Sequence, residues 1–140
     1  VTKSLDLPSK SNLWDCNKAK TLVIYDSSTA NERYLSRIPK CVEVEKVSTD
    51  NPDLISKILA KRGCNKVLWE CGPKLATSAV KSNCIQDIIT FIAPKILGGE
   101  SSMNPFDEFD FQEMDEVIKL SDSQFSLIGN NMCVRSSLNN

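Results

Sequence analysis

The sequence predicts one α/β domain with a mixed sheet, parallel in the middle and antiparallel toward its C-terminal side. Three observations lead there. Through residue 93, short apolar runs rich in β-formers alternate with amphipathic stretches of helical period. Residues 66–93 read strand, helix, strand, the order of a right-handed crossover between parallel strands. Beyond Pro94 that alternation ends, and EVIKLSDSQFSLIGNNMCVRSSL reads as two or three antiparallel strands turning at Gly129-Asn130-Asn131.

Taken in order, TLVIY (21–25) is the first strand, and the polar DSSTANERYLSRI that follows reads as a turn and a short helix carrying Tyr34, Leu35 and Ile38. Pro39 ends it. VEVEKV (42–47) alternates strictly, with Val42 and Val44 on one face and Glu43 and Glu45 on the other, as a half-exposed strand near an edge does. Asp50 or Asn51 caps the next helix, and Pro52 suits its first position because its missing N–H costs nothing there. Leu54 with Ile58 and Ile55 with Leu59 form its apolar face, Lys61 and Arg62 oppose the dipole, and Gly63 supplies the left-handed stop. KVLWE (66–70) is expected as a buried strand, 73–82 as a helix with Leu75, Ala76, Ala79 and Val80 inward, and DIITFIA (87–93) as a central strand, apolar on both faces. A long connection with Gly98-Gly99 and an acidic, aromatic end follows.

A chain of 140 residues fits one domain, 1–140. Lys plus Arg is 17 and Asp plus Glu is 18, so the net charge of -1 argues against a cationic face for nucleic acid. The absence of histidine removes His-based triads, His general acids and His-ligated zinc. No run reaches ~18 apolar residues, so no spanning helix is expected, and VTKSLDLPSK does not read as a signal peptide. The six cysteines Cys16, Cys41, Cys64, Cys71, Cys84 and Cys133 include no C-x-x-C pair. Zinc ribbons and redox motifs need close pairs to set two sulfurs on one turn. The expectation is no metal and six reduced, structural thiols in a cytosol-like compartment. The acidic run from Asp107 to Glu116 fits no EF-hand spacing and is read as a solvated loop. Trp14 and Trp69 are read as core or boundary residues.

The sharpest local feature is WECGPKLATS, 69–78. A strand ends, a glycine permits a tight turn and a helix begins, so free N–H groups at 72–75 point outward beside the positive end of the dipole. A phosphate or pyrophosphate would be held there, with Lys74 adding charge and Pro73 contributing no donor. An ordinary strand-to-helix turn has the same shape, and the residues leave both open. Glu70, at the carboxyl end of its strand, is placed to accept hydrogen bonds from sugar hydroxyls or a heterocycle, or to pair with a nearby lysine. Cys71 lacks a histidine to activate it as a nucleophile.

The block VLWECGPKLATSAVKSNCIQDIITFIAPKILGG (67–99) resembles the riboflavin-biosynthesis pyrimidine reductases, the C-terminal half of bifunctional deaminase-reductase proteins. Their pattern is a strand ending E-G-G, a helix with T/K-L-A, then a strand running into A-P-K, two apolar residues and G-G. Glu70, Gly72, Leu75, Ala76, Ala93-Pro94-Lys95 and Gly98-Gly99 match it, and VTKSLDLPSKSNLWD followed by TLVIY is similar to the family's middle section. The W-E-C-G form most resembles the plant branch.

The resemblance implies a dihydrofolate-reductase-like three-layer αβα fold, incomplete at the N-terminal side. It implies NADPH-dependent reduction of the ribosyl group of 5-amino-6-(5-phosphoribosylamino)uracil to ribityl. Cys71, Gly72, Pro73, Lys74 and Leu75 would border the cofactor, Glu70 would take the catalytic, substrate-side role, and Lys3 and Ser4 would lie near the adenosine end. Cys71 stands where the family has glycine, and Thr2 and Asp6 stand where it usually has an Asp and an Arg. The chain looks like the second part of a reductase domain, so little or no activity by itself is expected. Further expectations are a homo-oligomer, a fused deaminase or other domain, a cytoplasmic or plastid setting, and contact with neither nucleic acid nor membrane. The competing readings are a non-catalytic reductase-like module for dimerisation or ligand sensing, and a nucleotide-binding protein outside the family.

Overall fold

The computed structural model describes residues 1–47, 51–96, 98 and 104–138. The chain divides into two compact units, Val1–Val67 and Leu68–Asn140.

The first unit is built on a parallel pair. β1 (Leu22–Asp26) pairs with β2 (Glu43–Val47) in the register Val23↔Val44 and Ile24↔Glu45. Thr2 makes a parallel bridge to Tyr25 on the other side of β1. β1 is therefore flanked on both edges and buried from Val23 to Asp26, as an apolar run in a parallel sheet should be. On one face Val23 and Tyr25 join Leu5 and Val42 in a core that Trp14, Tyr34, Leu35 and Ile38 close. The short helix expected after β1 is a 3-10 segment, Glu32–Arg37, ending before Pro39. It covers this face: Glu32 accepts from Tyr25 Oη at 3.4 Å and meets Lys46 at 2.6 Å.

The opposite face carries Ile24, Glu43 and Glu45. Arg62, just beyond α1 (Pro52–Lys61), reaches Glu45 at 2.8 Å and Glu43 at 3.4 Å. Asn51 caps α1, its side chain accepting from the Leu54 N–H, and Pro52, Ile55 and Ile58 are buried. Asp50, the other cap considered, lies outside the described residues. Gly63 adopts φ 83, the left-handed stop that its sequence position demands.

The second unit holds α2 (Pro73–Lys81) and a three-stranded antiparallel sheet in the order β3-β5-β4, from β3 (Asp87–Ile92), β4 (Leu120–Ile128) and β5 (Asn131–Leu138). The tail is two strands, and Gly129, at φ 60, makes their turn. A bulge between Ser121 and Gln124 places Asp122 at φ 52. Glu116 accepts the Gln112 N–H at 2.7 Å, so part of the acidic run caps a 3-10 turn, Met114–Glu116.

Four expectations are corrected. Residues 66–70 form no strand: they are mostly exposed, Leu68 by 74%. A strand exists only through a neighbour's N–H and C=O groups, and apolar content cannot supply that neighbour. The crossover from 66 to 93 consequently lacks its first strand. Among the described residues β3 is an edge strand paired with antiparallel β5, and its apolar Ile89, Phe91 and Ile92 are at least half exposed. Lastly, Cys16 and Cys41 form a disulfide with Cα atoms 6.3 Å apart, while Cys64, Cys71, Cys84 and Cys133 are free. The spacing argument covers only pairs close in sequence. These two cysteines, 25 residues apart, are brought together by packing around the first core.

Candidate functional site

The start of α2 has the form the sequence suggests. Gly72 is the N-cap in extended conformation, φ -72 and ψ 168, and no side chain caps it. Pro73 occupies the first turn, which contains no acidic residue. The first N–H to turn back is that of Ala76, onto the Gly72 carbonyl at 3.1 Å. The N–H groups of Lys74 and Leu75 therefore precede the helical ladder and face outward with the positive end of the dipole. A Cβ built on Gly72 would meet nothing within 4 Å, so the approach is open. The donor set fits the anionic phosphates of a dinucleotide.

The flanking residues divide. Cys71 and Leu75 are half-buried and Lys74 is exposed. Burial pushes the Cys71 thiol up, which keeps it neutral and unsuited to nucleophilic attack. Glu70 is exposed, and the strand that was to present it is not formed. Its carboxylate is not fixed by local structure. The Cys71–Gly72 bond is trans, as are all peptide bonds of the described residues.

Sequence reasoning missed Thr77. It is 5% exposed, and its hydroxyl accepts the Asp107 N–H at 2.8 Å, one turn behind the helix start. Asp107 begins a segment in which Phe109 stacks on Phe111 with centroids 5.1 Å apart, and Lys81 of α2 lies over Phe109 at 5.5 Å. A threonine among small helical residues gives no signal of so distant a partner.

Lys3 and Ser4 belong to the first unit. Thr2 donates to the Ile24 carbonyl at 2.9 Å and accepts from Asp26 at 3.1 Å, which draws the chain along β1. The Lys3 carbonyl then accepts from Thr29 Oγ1 at 3.0 Å, and that of Ser4 from the Asn31 N–H at 3.4 Å. Both residues thus leave the sheet at the carboxyl end of β1, where open α/β sheets take ligands. Asp26, 4% exposed at that end, accepts from the Ser28 N–H at 2.7 Å and the Ser28 hydroxyl at 2.6 Å. The D-x-S spacing of such a turn was its available sequence signal. The structure brings Lys3 and Ser4 together with the Asp26–Asn31 loop, and Glu70 to Leu75 together at α2.

The α/β chain, with parallel and antiparallel sheets among its described residues, has the fold of pyrimidine reductase-like proteins. A pyrimidine reductase-like protein from Corynebacterium diphtheriae superposes with a TM-score of 0.79 at 21% identity, covering 99% of this chain and 60% of that one. Acinetobacter baumannii RibD superposes with a TM-score of 0.74 at 16% identity, over 98% of this chain and 36% of that one. At these identities the likeness establishes the fold.

Residues 1–134 match the model of the RibD C-terminal domain, and the chain belongs to that family. It is 35% identical over 138 residues to the riboflavin biosynthesis protein PYRR, chloroplastic, of Arabidopsis thaliana, covering 99% of this chain and 23% of the relative. It is 39% identical over 131 residues to the riboflavin biosynthesis protein RibD of Synechocystis, covering 92% of this chain and 35% of the relative. The chain thus spans 23% and 35% of the length of these two curated relatives.

Proposed function

We propose that this chain is part of a reductase of riboflavin biosynthesis that reduces the ribosyl group of 5-amino-6-(5-phosphoribosylamino)uracil to ribityl with NADPH. The observation that carries the reading is the uncapped, open start of α2 at Gly72, in a chain of the RibD C-terminal domain family. Bound NADPH would supply hydride to C1 of the open-chain sugar. The N–H groups of Lys74 and Leu75 would bind and orient its phosphates, and Cys71, Gly72 and Pro73 would allow close backbone approach. Within the first unit, Lys3 and Ser4 stand at the carboxyl end of β1, an end at which open α/β sheets take ligands, and there they would be the cofactor-side residues of that unit. Glu70 would hold the substrate's ribose once ligand fixes its position.

The proposed setting is the cytoplasm or a plastid. Among the described residues no helix is long and apolar enough to cross a membrane. A deaminase or another domain would be joined to the reductase in the full-length protein. Copies would associate through the second unit's sheet, where Ile92, Met132 and Leu127 form one exposed cross-strand row beside Phe125. Light scattering should show a dimer that Leu127→Ser weakens; an unchanged monomer would remove this part of the reading.

The test of the main reading is titration of the chain with NADPH, followed by nucleotide fluorescence, then addition of the uracil substrate with loss of NADPH absorbance recorded. Saturable binding that Lys74→Glu weakens supports a cofactor site at α2. Absence of binding to both NADPH and NADH sinks it. The second reading is a non-catalytic module of the same family. It is favoured by the exposure of Glu70 and the missing ladder at 66–70. Binding without turnover would select it.

A further inference from the structure

A groove of about 500 Å³ lies in the first unit, its lining beginning one residue beyond Ser4. One wall is Leu5–Ser9 with Trp14; the other is Tyr34 and the exit of the 3-10 segment through Arg37 to Pro39. The first wall continues into a loop, Pro8–Lys20, with unusual attachments. Trp14 Nε1 donates to the Pro8 carbonyl at 2.8 Å, Thr21 Oγ1 donates to the Leu13 carbonyl at 3.0 Å, and Lys18 meets Asp15 at 3.3 Å. Among the described residues, every hydrogen bond and ion pair of this loop goes to another residue of 8–21. Apart from apolar packing by Trp14 and Cys16, the loop is tied to the rest of the unit by the Cys16–Cys41 bond.

That bond stands in a particular place. Cys16 lies two residues beyond Trp14 on one wall, and Cys41 two residues beyond Pro39 on the other. The disulfide therefore joins the chain just behind each wall. Cys41 is an exposed residue, open to approach from solvent. The β1–β2 ladder and the Thr2 bridge are held by backbone hydrogen bonds that do not involve the loop.

We propose that Cys16–Cys41 is a thiol-operated latch that holds the Pro8–Lys20 loop against the groove and releases it on reduction. The reductant is a dithiol. One of its thiolates attacks Cys41 Sγ, the sulfur–sulfur bond breaks, and Cys16 leaves as a thiolate that takes up a proton. The second thiol of the reductant then resolves the mixed disulfide and frees Cys41. Two electrons and two protons pass to the protein, and the reductant becomes a disulfide. The released loop loses its covalent tie to the facing wall, and its internal turns open more often.

Hydrogen exchange with mass spectrometry on the whole chain, with and without dithiothreitol, tests this. Reduction should speed exchange across residues 9–18 by about tenfold while β1 and β2 keep their protection. In a Trp69→Phe background, where Trp14 is the remaining indole, reduction should also shift its emission to the red and ease acrylamide quenching. Cys41→Ser should show the open state without reductant and ignore dithiothreitol. Three results overturn the latch. They are alkylation of all six cysteines in unreduced, unfolded protein, unchanged exchange at 9–18 after reduction, and loss of β1 and β2 protection together with the loop.

Discussion

The Thr77 hydroxyl on α2 accepts the backbone N–H of Asp107 at 2.8 Å, from a position 5% exposed to solvent. One side chain thereby anchors the connection after β3 to the helix whose first turn faces the candidate cofactor site. Thr77→Val keeps the shape and leaves that N–H without a partner, which should cost about 1–3 kcal/mol in urea unfolding. Thr77→Ser, which retains the acceptor, should recover most of it. Equal stability of the Val variant and the parent would show that the bond is not formed in solution.

Gly72 separates binding from stability. Its φ of -72 is open to any residue and a Cβ there meets nothing, so Gly72→Ala should change stability by less than about 1 kcal/mol. If cofactor backbone contact occurs at this turn, the methyl group should weaken NADPH binding about tenfold, or 1.4 kcal/mol. The comparison is a fluorescence titration beside a melting curve. Undiminished affinity would move the cofactor elsewhere.

The helix cap at Asn51 gives a simpler test of the first unit. Its side chain accepts the Leu54 N–H at 3.1 Å. Asn51→Ala should lower stability by about 1 kcal/mol, and Asn51→Asp should preserve it by keeping the acceptor and adding charge favoured by the dipole. Both are read from denaturant midpoints.

The Glu32–Lys46 pair links stability to pH. The hydrogen bond from Lys46, with its charge, holds the Glu32 carboxyl below the usual carboxylate range, and the same bond raises Lys46. A lowered carboxyl pKa favours folding fully above its unfolded value, and that contribution fades as pH falls through the folded value. The raised lysine contributes below its ordinary value and loses this as pH climbs through the higher folded one. Stability measured against pH should therefore fall at both ends, weakly because the pair is exposed. Lys46→Met should flatten the acid limb, and salt should do so in part.

Much of the local structure was legible from single residues. Asn51, Pro52 and Gly63 set the limits of α1 because caps and stops depend on one residue's backbone and side chain. Pro39 and Gly129 fixed their turns in the same way. The alternation of Val42 to Glu45 put Val44 beside Val23 and Glu45 beside Ile24, although Val44 is exposed and Glu45 half-buried, and Gly72-Pro73 marked the start of α2. The family was legible too, since the block at 67–99 carries a run of spaced glycines, prolines and small residues.

What failed depended on partners. Lys66–Glu70 has a strand's composition without a ladder, and β3 has a central strand's composition at a sheet edge. By itself the sequence determined where helices begin and end, which faces are apolar and which family the chain joins, because these follow from torsions and periodicity within a few residues. Only tertiary structure decided that Cys16 meets Cys41, that Thr77 holds Asp107, and which strands pair, because each needs a second group distant in the chain, and the entropy of bringing it close is repaid by packing that no local window contains.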